Sequence, residues 1–352
     1  MRPLVDVPLT PSPIPSPPFP KESPTHAYPP LPQLADRLFL TDGGMETTFI
    51  FHQGLDLPHF AAFDLLKTAE GYQAIANYFR TYLDLAVQQR VGFVLESPTW
   101  RANSDWGSRL GYSAEELATA NREAIALLHL LRQAYATPDT PIVVSGCIGP
   151  RGDGYSVSTA MTVAAAETYH RPQIQAFAEA GADLASAFTM NYVQEAIGIV
   201  RAAQAVGLPV VISFTVETDG HLPSGQSLGE AIAQVDGATG NGPAYYMINC
   251  AHPTHFADAL IAGEPWVQRI RALRANASTL SHAELDEAET LDDGNPAELG
   301  QQYRALRAQF PQITVLGGCC GTDFRHVEAI ANACLPIAWA HLNQNPLSAI
   351  GV

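Results

Sequence analysis

Between Leu38 and about residue 335, short apolar runs alternate with segments of helical pattern about eight times. The runs cover residues 39–42, 91–96, 141–147, 182–189, 208–214 and 244–250, with a weaker one at 272–276 and a last one, a turn leading into a strand, at 310–316. They are continuously apolar rather than alternating. That pattern means burial on both faces, hence a parallel sheet covered by helices. Helices are expected over about 68–90, 113–136, 161–180, 192–206, 227–236 and 296–309, and again from 323. Ser113 followed by Glu116 three residues on supplies a start signal for the second of these. Eight such units predict an α/β fold of the (β/α)8 TIM-barrel type, and a doubly wound open sheet is the alternative that pattern alone leaves standing.

The barrel is expected over residues 36–340, between a proline-rich arm (1–35) and a short tail (341–352). Residues 1–33 hold 12 of the 27 prolines. Proline lacks an amide donor, so the arm reads as a tail or an extended strap rather than as helix or inner strand. The acidic stretch 281–293 reads as a solvated surface insertion. With 19 basic against 35 acidic residues and a formal charge of −16, the chain is a poor partner for nucleic acid. No apolar run is long enough for a membrane span, and no secretory leader is evident. Five cysteines in 352 residues are too few for a disulfide scaffold, so reduced thiols and a cytoplasmic location are expected. Assembly into a homo-oligomer is neither required nor excluded.

Chemistry concentrates at two strand ends. Gly317-Gly318-Cys319-Cys320-Gly321-Thr322 follows the last strand and precedes a helix, and Cys250 ends the run at 244–250. The C-terminal ends of strands are where such folds place their sites. Three thiolates leave one coordination position open on a zinc ion, the arrangement of a catalytic site. The competing reading is that Cys250 and one of the pair are buried small hydrophobes. Cys147 also ends a strand but lacks a partner motif, and Cys334 falls on the last helix, where packing is expected. His252 and His255 follow Cys250 closely and offer a second ligand set. With a carboxylate and an activated water they would make a metallohydrolase. His52 and His59 read as polar loop residues.

Four segments, Leu316-Gly-Gly-Cys-Cys-Gly-Thr322, Ile248-Asn-Cys250, Thr41-Asp-Gly-Gly-Met45 and Gly146-Cys-Ile-Gly-Pro150, together resemble the homocysteine S-methyltransferase family. Its homocysteine-binding domain also occurs in cobalamin-dependent methionine synthase and betaine–homocysteine methyltransferase. The resemblance spans about residues 38–335 in matching order. It implies a (β/α)8 barrel with Zn2+ on Cys250, Cys319 and Cys320, and the homocysteine sulfur in the open position. It further implies that Asp42 binds the substrate amine, that the backbone of Gly43 and Gly44 lies near its carboxylate, and that Asn276 approaches the metal site. The partners implied are a small thiol and a small methyl donor.

One position departs from the family pattern. A strand-4 Glu that contacts the amine is replaced by Phe188, so Glu96, Glu46 or Glu217 is expected to substitute. Phe188 with Trp100 or Trp106 could line an aromatic box for a cationic donor. The expected activity is zinc-dependent methylation of homocysteine to methionine from S-methylmethionine, S-adenosylmethionine or a betaine. Methylation of another small thiol is the nearest alternative, and a barrel that binds thiol without turnover is the non-enzymatic one.

Overall fold

Eight parallel strands close on one another in sequence order: β1 (Phe39–Leu40), β2 (Gly92–Glu96), β3 (Ile142–Ile148), β4 (Leu184–Met190), β5 (Val210–Phe214), β6 (Tyr245–Asn249), β7 (Ile270–Ala275) and β8 (Val315–Gly318). The computed structural model describes residues 30–35, 37–157 and 160–335. Residues 1–29 of the arm and the 341–352 tail lie outside the described residues. Closure depends on β1, only two residues long, where Phe39 pairs with Gly92 on one side and with Val315 on the other. The open-sheet alternative is thereby corrected, because a doubly wound sheet keeps two free edges and this one has none. The expected (β/α)8 barrel is what the chain forms.

Helices Ala69–Gln89, Ala114–Tyr135, Val163–Glu179, Val193–Val206, Leu228–Thr239, Pro296–Gln309 and Phe324–Cys334 surround the strands. Their ends follow local chemistry. Ser113 and Glu116 exchange side-chain and backbone bonds in a capping box, and Ser227 and Glu230 repeat it. Gly207 and Gly240 end their helices in the left-handed conformation. The crossover from β6 to β7 carries only the turn Pro253–Phe256 and two 3-10 segments. Among the described residues no helix is long and apolar enough to cross a membrane.

Side chains alternate across each strand, so one set faces the helices and the other the barrel axis. Outward residues such as Leu95, Val144, Ile212, Ile248, Leu273 and Leu316 join the main core. Inward residues Phe39, Val94, Val143, Leu184, Val211, Tyr245 and Val315 fill the N-terminal half of the barrel. Further along the same strands the inward positions turn polar while staying buried: Glu96, Ser145, Ser186, Ser213, Asn249 and Arg274. Several of them bond one another. Ser145 and Ser186 hydroxyls lie 2.8 Å apart, Ser186 donates to Glu96 Oε1 at 3.0 Å, and Ser213 donates to Asn249 Oδ1 at 2.6 Å. The described end of the arm closes the opposite mouth. Gln33 is fully buried there, its carbonyl accepts from Thr314 Oγ1 at 3.3 Å, and Arg271 donates to Leu34 O at 3.1 Å. The polar end is therefore the open one.

Candidate metal centre

β6 and β8 flank β7, and their C-terminal ends bring Cys250, Cys319 and Cys320 to one point. The three sulfurs lie within 4.8 Å of one another, and among the described residues no other group of three His, Cys, Asp or Glu ligands converges in this way. Zinc–sulfur bonds of about 2.3 Å in a tetrahedron give sulfur–sulfur edges of about 3.8 Å. Cys250 Sγ and Cys320 Sγ are 3.9 Å apart, which suits such an edge. Cys250 and Cys319 are joined as a disulfide, so the expectation of reduced thiols is corrected at this pair and holds for Cys147, Cys320 and Cys334. That bond uses two of the three thiols, so bond and ion exclude each other. Burial pushes the Cys320 thiol up, so a thiolate there needs a compensating cation.

The backbone is built to hold these sulfurs. Cys250 has a φ of 53°, a left-handed conformation that a residue with a Cβ adopts only when its surroundings impose it. They do: its amide donates to Arg274 O at 3.1 Å, and its carbonyl accepts from Asn276 Nδ2 at 3.1 Å, His282 Nε2 at 2.6 Å and Thr215 Oγ1 at 3.4 Å. The Cys319 amide donates to Ala275 O at 2.8 Å, and the Thr322 hydroxyl donates to Cys319 O at 2.6 Å. Gly44 packs against this turn so closely that a Cβ there would lie 2.6 Å from Cys319 O. Two side chains reach the sulfurs themselves: Tyr155 Oη is 3.5 Å from Cys320 Sγ, and Asn249 Nδ2 is 3.8 Å from Cys319 Sγ. Burial holds the Tyr155 hydroxyl well above its usual range, so it remains a donor.

The acidic stretch 281–293 is not a plain solvated insertion, and that expectation is corrected. Ser281 caps the short helix His282–Glu287, and His282 is buried. Its ring stacks on Tyr155 with centroids 4.0 Å apart, and its two nitrogens face Cys250 O and Glu217 Oε1. Leu285, Asp286 and Leu291 from the same stretch line the cavity above the sulfurs. Asp292 also lines the cavity and accepts from Ser278 Oγ at 2.6 Å, Asp293 pairs with Arg325, and Glu284, Glu287 and Glu289 are exposed.

That cavity, about 680 Å³, is also lined by Asp42, Gly43, Gly44, Glu46, Glu96, Cys147 and Phe188. Asp42 is not a free anion. Arg274 lies 2.9 Å from its Oδ1, and Tyr78 donates to its Oδ2 at 3.0 Å. The same guanidinium donates to Gly43 O at 3.0 Å and to Gly318 O at 2.9 Å. The Gly44 amide is likewise engaged, by Thr322 O at 2.9 Å. Glu96 differs: its Oε1 accepts from Ser186, but its Oε2 is buried without a partner. Burial pushes its carboxyl up to about 7.

Glu217 and Asn276 fall outside the cavity lining; Glu217 serves His282, and Asn276 serves the Cys250 carbonyl. The expected aromatic box is corrected too, because guanidinium groups of the chain itself take its faces. Arg274 Cζ is 5.1 Å from the Phe188 ring, Arg101 Cζ is 4.1 Å from Trp100 and 4.0 Å from Trp106, and Arg109 Cζ is 4.3 Å from Trp106. His252 caps Pro253–Phe256 and His255 bonds Thr279 O at 2.9 Å; neither joins the sulfurs, so the hydrolase alternative loses its ligands. Cys334 packs in the outer core, and Cys147 sits in the inner one. Sequence reasoning missed Tyr155, His282 and the positioning role of Asn249. Only Asn249 carried a signal, as the neighbour of Cys250.

Fold and site define a (β/α)8 barrel with a cluster of three cysteine sulfurs at its open end. A family model described as homocysteine S-methyltransferase matches residues 39–334, and the chain belongs to that family. Homocysteine S-methyltransferase 4 of Zea mays is 24% identical over 322 residues, covering 84% of this chain and 88% of that protein. Among solved structures, the homocysteine methyltransferase MmuM of Escherichia coli resembles the chain in its oxidized form (TM-score 0.68) and its metallated form (TM-score 0.66). Both are 21% identical, covering 84% of this chain and 96% of that one, and the likeness is one of fold.

Proposed function

We propose that this protein methylates the thiol of homocysteine, giving methionine, with zinc held by Cys250, Cys319 and Cys320. The observation that carries the reading is the meeting of three sulfurs, from loops 69 residues apart, at the open end of a barrel of this family. MmuM, of the same fold, takes a metallated form. When bound, zinc supplies the Lewis acidity that removes the proton from a thiol, which otherwise titrates near pH 8.5. The residues of the chain do the rest. Asn249 and Tyr155 place N–H and O–H donors beside two of the sulfurs and so temper their basicity. The stacked Tyr155 and His282 rings lie against the cluster, Tyr155 at the Cys320 sulfur and His282 at the Cys250 carbonyl. The acceptor sulfur forms its bond to the methyl carbon as the donor's carbon–heteroatom bond breaks. The electron pair of that bond leaves on the donor, and the thiol proton has already gone to solvent. Positioning is the main requirement of such an in-line displacement.

The amine contact belongs to Glu96 in this reading. Asp42 is neutralised by Arg274, Phe188 has no charge, and Glu96 Oε2 is a buried acceptor still without a donor. This has a pH signature. Glu96 titrates near 7 in the folded chain against about 4.5 when unfolded, so between those values the folded state holds the extra proton. Stability from this group therefore falls as pH rises from about 4.5 to about 7 and is level above. Glu96→Gln is expected to gain stability relative to the parent across that window, read by urea melts at pH 5, 6 and 8. Homocysteine affinity should rise with pH through about 7 in the parent. In Glu96→Gln that component should be missing; a pH profile unchanged by the substitution would remove Glu96 from the site.

The overall reading is tested on reduced, zinc-loaded protein. Calorimetry with homocysteine should show binding, and one member of a panel of S-methylmethionine, S-adenosylmethionine and betaine should then yield methionine. Tight thiol binding with no methionine from any donor would make the barrel a binder rather than a transferase.

A further inference from the structure

Arg101 is a charge in search of a counter-ion. It is only 8% exposed, and it lines the same cavity as the sulfur cluster. Its guanidinium packs against the indoles of Trp100 and Trp106. Stacking occupies the faces of a guanidinium and leaves its in-plane donors for hydrogen bonds. One of them reaches Gly152 O at 3.0 Å, while Nε is buried and has no partner. The neighbouring Trp106 Nε1, from a residue lining the same cavity, is also a buried donor without an acceptor. Among the described residues no carboxylate closes an ion pair with Arg101. Burial pulls the guanidinium down to about 10, and Asp153 and Glu46 offset this only in part and through space. Buried charges are ordinarily paired, and buried donors ordinarily bonded. Two unfilled donors beside one unpaired cation call for an anion with two acceptor oxygens. A planar carboxylate matches the fork, and its single charge suits a cavity that also contains Glu46, Glu96 and Asp153 better than a phosphate dianion would.

We propose that Arg101, with Trp106 Nε1 beside it, is a carboxylate-recognition site of this cavity and takes the carboxylate of an amino-acid substrate. The inference rests on the methyl-transfer reading and adds to it. Glu96 receives an ammonium group, Arg101 receives a carboxylate, and the site selects amino acids over simple thiols or sulfonium salts. The carboxylate can belong to the acceptor or to the donor, and the two arms of the test separate them.

The test is calorimetric, on reduced zinc-loaded parent, Arg101→Gln and Arg101→Lys. The ligands are homocysteine, its carboxylate-free counterpart 3-aminopropane-1-thiol, S-methylmethionine, and the carboxylate-free (3-aminopropyl)dimethylsulfonium. Hydrogen bonds to a charged group predict that Arg101→Gln weakens homocysteine or S-methylmethionine by about 10- to 100-fold. The carboxylate-free counterpart of the affected compound should bind as before, and Arg101→Lys should recover part of the loss. A change confined to homocysteine assigns the acceptor's carboxylate, and one confined to S-methylmethionine assigns the donor's. Equal weakening of a compound and its counterpart, or no weakening of either, in a variant whose Tm matches the parent would overturn the proposal. Should Arg101→Gln fail to fold, the same differential on a smaller scale in Arg101→Lys decides. A parent that binds neither thiol would instead sink the methyl-transfer reading.

Discussion

Serine in place of Cys319, in reduced protein, is expected to leave the purified chain with far less than one equivalent of zinc and to abolish methionine formation. Altering groups that merely support a metal ligand lowers affinity or activity by about 10- to 100-fold. Removing one of three thiolates should exceed that, because a serine hydroxyl stays protonated and is a poor ligand for a thiophilic ion. Cys250→Ser and Cys320→Ser should behave alike, since all three sulfurs meet at one point. The barrel itself should persist, because its apolar core does not include Cys319 or Cys320. His252→Ala and His255→Ala are the controls and should retain metal. Zinc by elemental analysis and far-ultraviolet circular dichroism on each variant decide the matter: full zinc occupancy in Cys319→Ser would end the assignment.

Arg274→Met should be the most damaging single change to the fold of the site. The guanidinium and Asp42 are both buried, with side chains 8% and 3% exposed. Deleting one member of such a pair strands the other charge, at a cost of about 3–5 kcal/mol. Arg274 also bridges Gly43 O and Gly318 O, so its loss frees the β1 loop from the end of β8. The double variant Asp42→Asn/Arg274→Met removes both charges and should recover much of the stability. Urea unfolding of the two single variants and the double one measures the coupling. Additive losses would mean that the pair does not act as a unit.

The repeating architecture was legible because burial on both faces leaves an unbroken apolar signature in every strand. Barrel closure was not, because it depends on Phe39 meeting Val315, a contact that no local pattern encodes. The cysteine cluster was readable for a similar reason to the strands: Gly-Gly-Cys-Cys-Gly-Thr and Asn-Cys each mark a strand end, and strand ends share one face of a barrel. Arg274 lay hidden, since an arginine in a weak apolar run looks like a reason to doubt the strand rather than the partner of Asp42, 232 positions away. The aromatic box failed because Arg101, the residue after Trp100, lies against that indole itself, a contact that spacing along the chain does not show. His282 was masked by the acids around it, whose net charge says nothing about which single side chain turns inward.

The carbonyl of Cys250 is gripped by Thr215, Asn276 and His282, side chains that follow β5 and β7 rather than β6. The aim of one sulfur is thus delegated to distant parts of the chain that contribute no sulfur of their own. A library of variants sorted by retained ion instead of by solubility should therefore return these three positions alongside the cysteines.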